Sequence, residues 1–397
     1  MRTPLQKLRV LDLTRDLAGP FCSMLLGDLG AEIIKVEMPG KGDETREWGP
    51  PFIEGESVYF LSANRNKKSM TVNLKTAEGR QIILDLARIS DVFMENFRPG
   101  VAKKLGVDYQ AIKKENPKIV YCSISGFGQT GPYRDRIAYD IVFQAIGGLM
   151  GITGEEGRPP VKIGVAVADI VAGLYATISI LTGLRDRDDR KVGQYIDISI
   201  TDCTASLLTY MAGYYFATGR APKKMGSAHP FVAPYQAFRA KDGRYLIIGV
   251  ANDRIWERLC KVLGRTDLAS DPRFETNSRR VQNRDLLIPI IEETLASQSR
   301  DEWLTELSKA SVPCGPVYSV DEVFSDSQIR SREMLVEIEH PRLGKIKLVG
   351  NPLKFSDMPA QLRLPPPILG QHTQEILESL AEYSKDTIEE YRRKGVI

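Results

Sequence analysis

Apolar and polar residues succeed one another along the first two hundred positions as strand, helix, strand. The run LRVLDLT (8–14) is an apolar strand pattern. GPFCSMLLGDLG (19–30) reads as a helix with Pro20 in its first turn, and AEIIKVE (31–37) as a second strand. This βαβ unit predicts a parallel sheet. GRQIILDLARIS (79–90) follows as an amphipathic helix, DVFMENF (91–97) as a strand, and KIVYCSISGFG (118–128) as a strand running into a Gly-rich loop. The first half is therefore expected to be α/β and doubly wound. The pattern shifts at TGRAPKKMGSAHP (218–230), a linker or functional loop. PYQAFRAKDGRYLIIGV (234–250) predicts a hairpin turning at Lys241-Asp242-Gly243, and helical patterns cover 253–264, 283–298 and 301–310. EMLVEIEHPRLGKIKLVG (333–350) predicts a second hairpin, and after LPPPILGQ a last helix begins at Thr373.

At 397 residues the chain exceeds one compact core, so two domains are expected. A net charge of +3, evenly spread, argues against a nucleic-acid or membrane-surface protein. Cys22, Cys122, Cys203, Cys260 and Cys314 form no CxxC pair, which fits free thiols in a reducing, cytoplasmic setting. His229, His340 and His372 show no helical spacing, so no metal site is expected. MRTPLQKLRVLDL has no apolar core of a secretory signal. The apolar stretch 163–184 is long enough to span a bilayer, but its Gly and Ala content and its internal aspartate favour a buried core element.

That aspartate is the main chemical candidate. In GVAVADIVAGLYA (164–176), Asp169 is the only charged side chain between Ile163 and Leu184. It reads either as a helix N-cap or as a desolvated nucleophile held ionised by the helix dipole, and the two are compatible. Ala172 and Gly173, one turn on, would let a ligand or another chain approach closely. Glu37 ends the second strand, where an acid would bind ribose. However, the first turn is TRDLAGPFC rather than GxGxxG, which disfavours a dinucleotide, and no P-loop motif occurs. NRNKKSMTVNLK (64–75), with Arg65, Lys67, Lys68 and Lys75, is either a solvated turn or a phosphate-facing edge. MENFRPG (94–100) is either a tight turn or a place for Arg98 to bind phosphate and Phe97 to face an adenine. SISGFGQTGPYRDRIAYD (123–140), carrying Arg134, Arg136 and Asp140, is a Gly-rich loop.

Taken in order, VLDLTRDLAGP, LGDLGAEIIKVEMPGKGDETREWGPP, YFLSANRNKKSMTVNLK, ENFRPG, YCSISGFGQTGPY, GVAVADIVAGLYA, VPCGPVYSVDEV and ILGQHTQEIL resemble the class III CoA-transferases, the family of formyl-CoA and carnitine CoA-transferases. ITGEEGRPPVKIGVAVADIVAGLYA and APYQAF look most like the branch acting on succinyl-CoA and dicarboxylates such as glutarate. The resemblance implies a large Rossmann-like domain from residues 1–220 and 331–397, a small α+β domain at 221–330, and a homodimer of interlocked rings. It implies CoA as substrate and product, with no permanently bound cofactor. The family's nucleophile falls on Asp169. Its CoA contacts fall on Leu17, Ala18, Met38, Val72, Asn73, Leu74, Lys75, Asn96, Phe97, Arg98, Lys104, Arg136 and Tyr139. Leu17 stands where the formyl-CoA enzymes carry glutamine, MGSAHP stands for a longer glycine run, and Met38 replaces a basic residue. The first two departures weaken an oxalate or formate reading.

The implied reaction moves CoA from an acyl-CoA to a carboxylic acid, a dicarboxylate in this branch, through an aspartyl anhydride and thioester. The sequence leaves open an acyl-CoA racemase of the same fold, with Asp169 and His229 as bases. It also leaves open transfer to carnitine, oxalate or an aromatic acid. A second carboxylate on the substrate calls for a cation, and Arg46 is the first candidate and Arg15 the second. Asp140 and His229 are further candidates for polar roles.

Overall fold

The computed structural model describes residues 3–397. Met1 and Arg2, with which the first domain reading began, lie outside the described residues. Contacts divide the chain into two units: one of residues up to Leu149, Lys162–Gly213 and Ser327–Ile397, the other of Met150–Val161 and Tyr214–Asp326. The sequence reading put the boundaries at 220 and 330 and left 150–161 in the large domain. That short segment joins the second unit because the Gly226 N–H donates to the Gly154 carbonyl at 2.8 Å and Lys223 pairs with Glu156 at 2.8 Å.

The first unit is built on six parallel strands, β1 (Arg9–Asp12), β2 (Glu32–Glu37), β3 (Lys67–Thr71), β4 (Val92–Glu95), β5 (Val120–Ser125) and β6 (Tyr195–Ser199). They lie in the order β3-β2-β1-β4-β5-β6, that of a doubly wound Rossmann sheet. Successive residues of the central strands face opposite sides. Val10, Ile33, Val92 and Cys122 enter one core layer, and their neighbours Leu11, Ile34, Phe93 and Tyr121 enter the other. Burial on both faces explains why these strands read as mostly apolar stretches rather than as strict apolar-polar alternation. β6, an edge strand with Tyr195 and Asp197 exposed, has no such stretch and escaped the sequence reading.

Four helices matter for the site: α1 (Ala18–Asp28), α2 (Ala77–Arg88), α3 (Asp140–Ile146) and α4 (Val167–Arg190). α4 has 24 residues and is long and apolar enough to cross a membrane, yet Ala168, Ala172, Ala176 and Ile180 belong to the core packed against the sheet. It is a core helix, as the sequence reading expected. Gly173 explains its seating. A Cβ there would lie 2.7 Å from the Ala18 carbonyl oxygen of α1. The close approach foreseen at Gly173 is made by α1 of the same chain.

Gly173→Ala tests this packing. In a free helix the change is stabilising by about 1 kcal/mol; here overpacking reverses the sign, and a loss of about 1–3 kcal/mol is expected by thermal or denaturant melting. A variant as stable as wild type would show that α1 and α4 are not in tight contact.

The second unit packs a three-stranded antiparallel sheet, Tyr235–Arg239, Tyr245–Gly249 and Cys314–Pro316, against helices Asp253–Val262, Arg284–Leu295 and Arg300–Lys309. The hairpin turns through Gly243 at φ 79°, a left-handed conformation that glycine adopts without strain. Hairpin 335–349 belongs to the first unit. The chain closes on Thr373–Ser379, as anticipated, and on a further helix, Lys385–Arg393.

Candidate functional site

In doubly wound sheets, ligands gather outside the carboxyl ends of the strands, where the strand order reverses. Here that point lies between β1 and β4. The loop from β1 to α1 is fixed from both sides. On the β2 side, the fully buried Lys35 ammonium donates to the Thr14 carbonyl at 2.9 Å and to Asp43 at 2.8 Å. Burial alone would lower the Lys35 pKa, but Asp43, Asp12 and Glu37 outweigh it and hold it above the ordinary lysine value. Asp43 in turn accepts from the Asp16 N–H at 3.3 Å. On the β4 side, Asn96 accepts from the Arg15 N–H at 2.9 Å and donates to the Arg15 carbonyl at 2.8 Å.

Beside this loop opens a cavity of about 290 Å³. Its walls gather, from the residues expected at the CoA site, Met38, Val72, Asn73, Leu74, Lys75 and Phe97, and they add Arg15 and Lys41. The floor is apolar, with Leu13, Val36, Val101 and Leu105. Cations over an apolar floor suit a ligand with a phosphate-bearing and an apolar part. Arg98 and Lys104 are exposed and belong to the segment that supplies Phe97, Val101 and Leu105. Leu17 and Ala18 are buried at the start of α1. Arg136 and Tyr139 are not among the lining residues. Arg136 stacks on the Tyr133 ring at 3.6 Å, and the exposed Tyr139 precedes α3.

Asp169 sits in the first turn of α4, three residues beyond the cap position, which is occupied by Ala166. It is therefore not the N-cap. Asp140 takes up a free helix-start donor instead, accepting from the Ala168 N–H at 2.9 Å, while its other oxygen accepts from Gln144 at 2.6 Å. Burial, aided by the like charges of Asp140 and Asp16, pushes the half-buried Asp169 carboxyl up to about 7. The helix start was expected to hold this carboxyl ionised against its apolar surroundings; burial and its acidic neighbours instead raise it. Asp16, raised to about 6 chiefly by burial and next by Asp43, completes the acidic group. Tyr59 lies in the same field, and burial together with Asp169, Asp16 and Asp140 pushes its hydroxyl up to about 12, so it stays neutral.

Several expected roles change. Arg46 is already bound: its guanidinium grips Glu37 at 2.7 and 2.8 Å, donates to the Pro367 carbonyl at 3.1 Å and lies 3.6 Å over Phe60. It is not open to a substrate carboxylate. Glu37, saturated by Arg46, Ser69 and the Asp43 N–H, is not open to a ribose. Arg65 pairs with Asp28 at 2.7 Å, Lys67 is wholly buried, and Lys68 bridges Glu32 and Glu375, so Lys75 alone of that basic run lines the cavity. Arg15 is half-exposed on the cavity wall, 3.6 Å from Glu44 and 5.8 Å from the Phe97 ring. His229 belongs to the second unit, where its N–H bonds the Tyr235 carbonyl at 3.0 Å and its own carbonyl accepts from Arg284 at 3.0 Å. Sequence reasoning missed Asp16, Lys35, Lys41, Asp43 and Tyr59. Only the Gly-flanked Lys41-Gly42-Asp43 carried a local signal.

A doubly wound sheet with a cavity outside the carboxyl ends of its strands is an architecture that many α/β enzymes share. The model of CoA-transferase family III matches residues 5–373, and the chain belongs to that family: it is a class III CoA-transferase. It is 45% identical over 394 residues to the succinyl-CoA:glutarate CoA-transferase of Mus musculus, covering 99% of this chain and 90% of that protein. It is 41% identical over 386 residues to the succinate–glutarate CoA-transferase of Agrobacterium fabrum, covering 96% of each. The crystal structure of a CAIB/BAIF family protein from Brucella suis superposes with a TM-score of 0.86 at 44% identity, covering 96% of this chain and 100% of that one.

Proposed function

We propose that the protein transfers CoA from succinyl-CoA to a dicarboxylate the size of glutarate, with Asp169 as the nucleophile. The carrying observation is the placement of Asp169: the only charged side chain from 163 to 184, half-buried, with carboxylates as its electrostatic neighbours. Such a carboxylate is poorly solvated and reactive. The Asp169 oxygen attacks the thioester carbonyl, the C–S bond breaks, and CoA leaves as thiolate, giving a mixed anhydride. The thiolate attacks the Asp169 carbonyl and releases succinate, leaving an aspartyl thioester. The acceptor carboxylate displaces the thiolate to form a second anhydride. The thiolate then attacks the acceptor's carbonyl, which yields the new acyl-CoA and restores the Asp169 carboxylate. Charge and atoms balance at each step without a bound cofactor. CoA lies in the cavity of Met38, Val72–Lys75 and Phe97, with Arg98 and Lys104 at its approaches.

With Arg46 committed to Glu37, Arg15 becomes the residue that holds the second carboxylate. Arg15→Met should raise KM for glutarate roughly tenfold or more, the worth of one charge-assisted hydrogen bond, and leave KM for a monocarboxylate little changed. An equal change for both acids would remove Arg15 from this role. The substrate reading itself is tested by pairing a set of acyl-CoA donors with a set of carboxylate acceptors and weighing the CoA products. Preference for succinyl-CoA with a dicarboxylate of four to six carbons supports it. Preference for carnitine, oxalate or an aromatic acid overturns it, as does α-deuterium exchange without transfer, which would mark a racemase.

The working unit in this reading is a homodimer of interlocked subunits in the cytoplasm. Helix α5 (Thr209–Thr218) supports a partner: it is apolar, yet none of its residues is buried, and Phe216 is 80% exposed. Light scattering should give a dimer that persists on dilution to nanomolar concentration; a reversible monomer at micromolar concentration contradicts interlocking.

A further inference from the structure

One residue of the β1–α1 loop combines two unfavourable features. Asp16 has φ 66°, the left-handed region, which a non-glycine residue enters at a cost of about 1 kcal/mol even when, as for Asp, its side chain tolerates it. Its Oδ1 is buried and has no hydrogen-bond partner among the described residues. A buried carboxylate oxygen is ordinarily paired. The loop does not relax because it is tied at three successive residues: Thr14 by Lys35, Arg15 by Asn96, and Asp16 itself by Asp43. Geometry brings it toward Asp169: Asp16 precedes Ala18, the first residue of α1, by two positions, and the Ala18 carbonyl packs on Gly173, one turn along α4 from Asp169. An outlier held in place by its surroundings at this junction is a candidate for function.

We propose that Asp16 is a positioning residue that raises the free energy of the Asp169 carboxylate by like-charge repulsion, and that acylation of Asp169 relieves this repulsion. The inference rests on the reading of Asp169 as the nucleophile. When the Asp169 oxygen bonds to the thioester carbonyl carbon and the C–S bond breaks, the negative charge leaves with the thiolate. The acylated Asp169 is neutral and no longer opposes Asp16. The repulsion therefore disfavours the free, ionised nucleophile more than the covalent intermediate. It works on the reaction through Asp169 and needs no contact with substrate. The charged groups in the field are Asp43, Glu44, Arg15 and Lys35 around Asp16, and Asp140 on α3 beside Asp169, with the neutral Tyr59. Arg15 and Lys35 offset the charge of Asp16 in part, but Lys35 is tied to Asp43, Arg15 is half-exposed, and burial with Asp43 outweighs both.

The test uses Asp16→Asn, which keeps the shape and removes the charge, and Asp16→Gly, which removes the charge and suits the left-handed backbone. For wild type, kcat/KM should rise with pH through about 7, as Asp169 ionises. In both variants this acid limb should move to lower pH by about half a unit or more. The fraction of enzyme acylated at a fixed ratio of succinyl-CoA to CoA should fall by about threefold or more, since half a unit corresponds to that factor. A merely structural loop residue would change yield or melting and leave the limb where it is. An acid limb that stays in place or moves upward in both variants overturns the inference. If the acyl group is still trapped on Asp169 in that case, the nucleophile stands and only the role of Asp16 fails. Trapping on another residue sinks both.

Discussion

Asp169→Ala should lose transfer activity, with kcat falling on the order of 10⁴-fold or more, because the proposed nucleophile that carries the acyl unit between two carboxylates is removed. The fold survives the change. Ala is a good helix former, and the lost carboxylate was held among like charges rather than by a cation. The sign of the stability change follows from linkage. A carboxyl whose folded pKa is raised, here to about 7, binds its proton more tightly in the folded state, so ionising it costs stability. Wild type pays this cost progressively as pH rises from the ordinary aspartate value to about 7 and in full above it. The variant should therefore match wild type in acid and melt at or above it beyond pH 7. A variant that transfers CoA normally, or that unfolds, would refute this account of the residue.

Lys35→Met carries the largest expected stability loss. It leaves the buried Asp43 carboxylate without its cation and the Thr14 carbonyl without its donor. Removing one partner of a buried pair costs about 3–5 kcal/mol. Thermal melting should fall by roughly 10 °C. Activity should fall with it, because the loop bearing Arg15 and Asp16 loses its anchor on the β2 side. The double change Lys35→Met with Asp43→Leu should recover much of the stability, since an apolar pair of similar volume leaves no stranded charge. A single variant melting within about 1 °C of wild type would show that the pair does not hold the loop.

The parts of this protein legible in its sequence are those fixed by local pattern. Strands β1, β2, β4 and β5 are buried on both faces and so are written as mostly apolar stretches without strict alternation, and Pro20 and the apolar face of α2 announce their helices. Asp169 was legible for the same reason: one charge in an apolar stretch is visible without a fold. What stayed hidden depends on distant partners. Arg46 looks like a free cation until Glu37, nine positions upstream, folds against it. Lys67 reads as a solvated or a phosphate-facing charge but lies wholly buried in β3, donating to the Pro20 carbonyl at 2.8 Å. Asp169 resembled an N-cap because helix starts favour Asp, yet Asp140, from a separate helix, supplies an acceptor there. Gly173 showed that something comes close, but not that it is α1. The left-handed turn at Asp16 is imposed by ties to β2 and β4, and no local motif records it.

The central claim is that Asp169 carries the acyl group, and one measurement meets it directly. The enzyme is incubated with succinyl-CoA, quenched with hydroxylamine, and digested with trypsin. Cleavage after Lys162 and Arg185 yields peptide 163–185, in which Asp169 is the only carboxylate side chain, so a hydroxamate in that peptide has a single possible position. The account predicts that this peptide acquires the hydroxamate only when an acyl-CoA is present, and that Asp169→Ala acquires none. A peptide that stays unmodified while the enzyme turns over, or a hydroxamate on any other carboxylate, would contradict it.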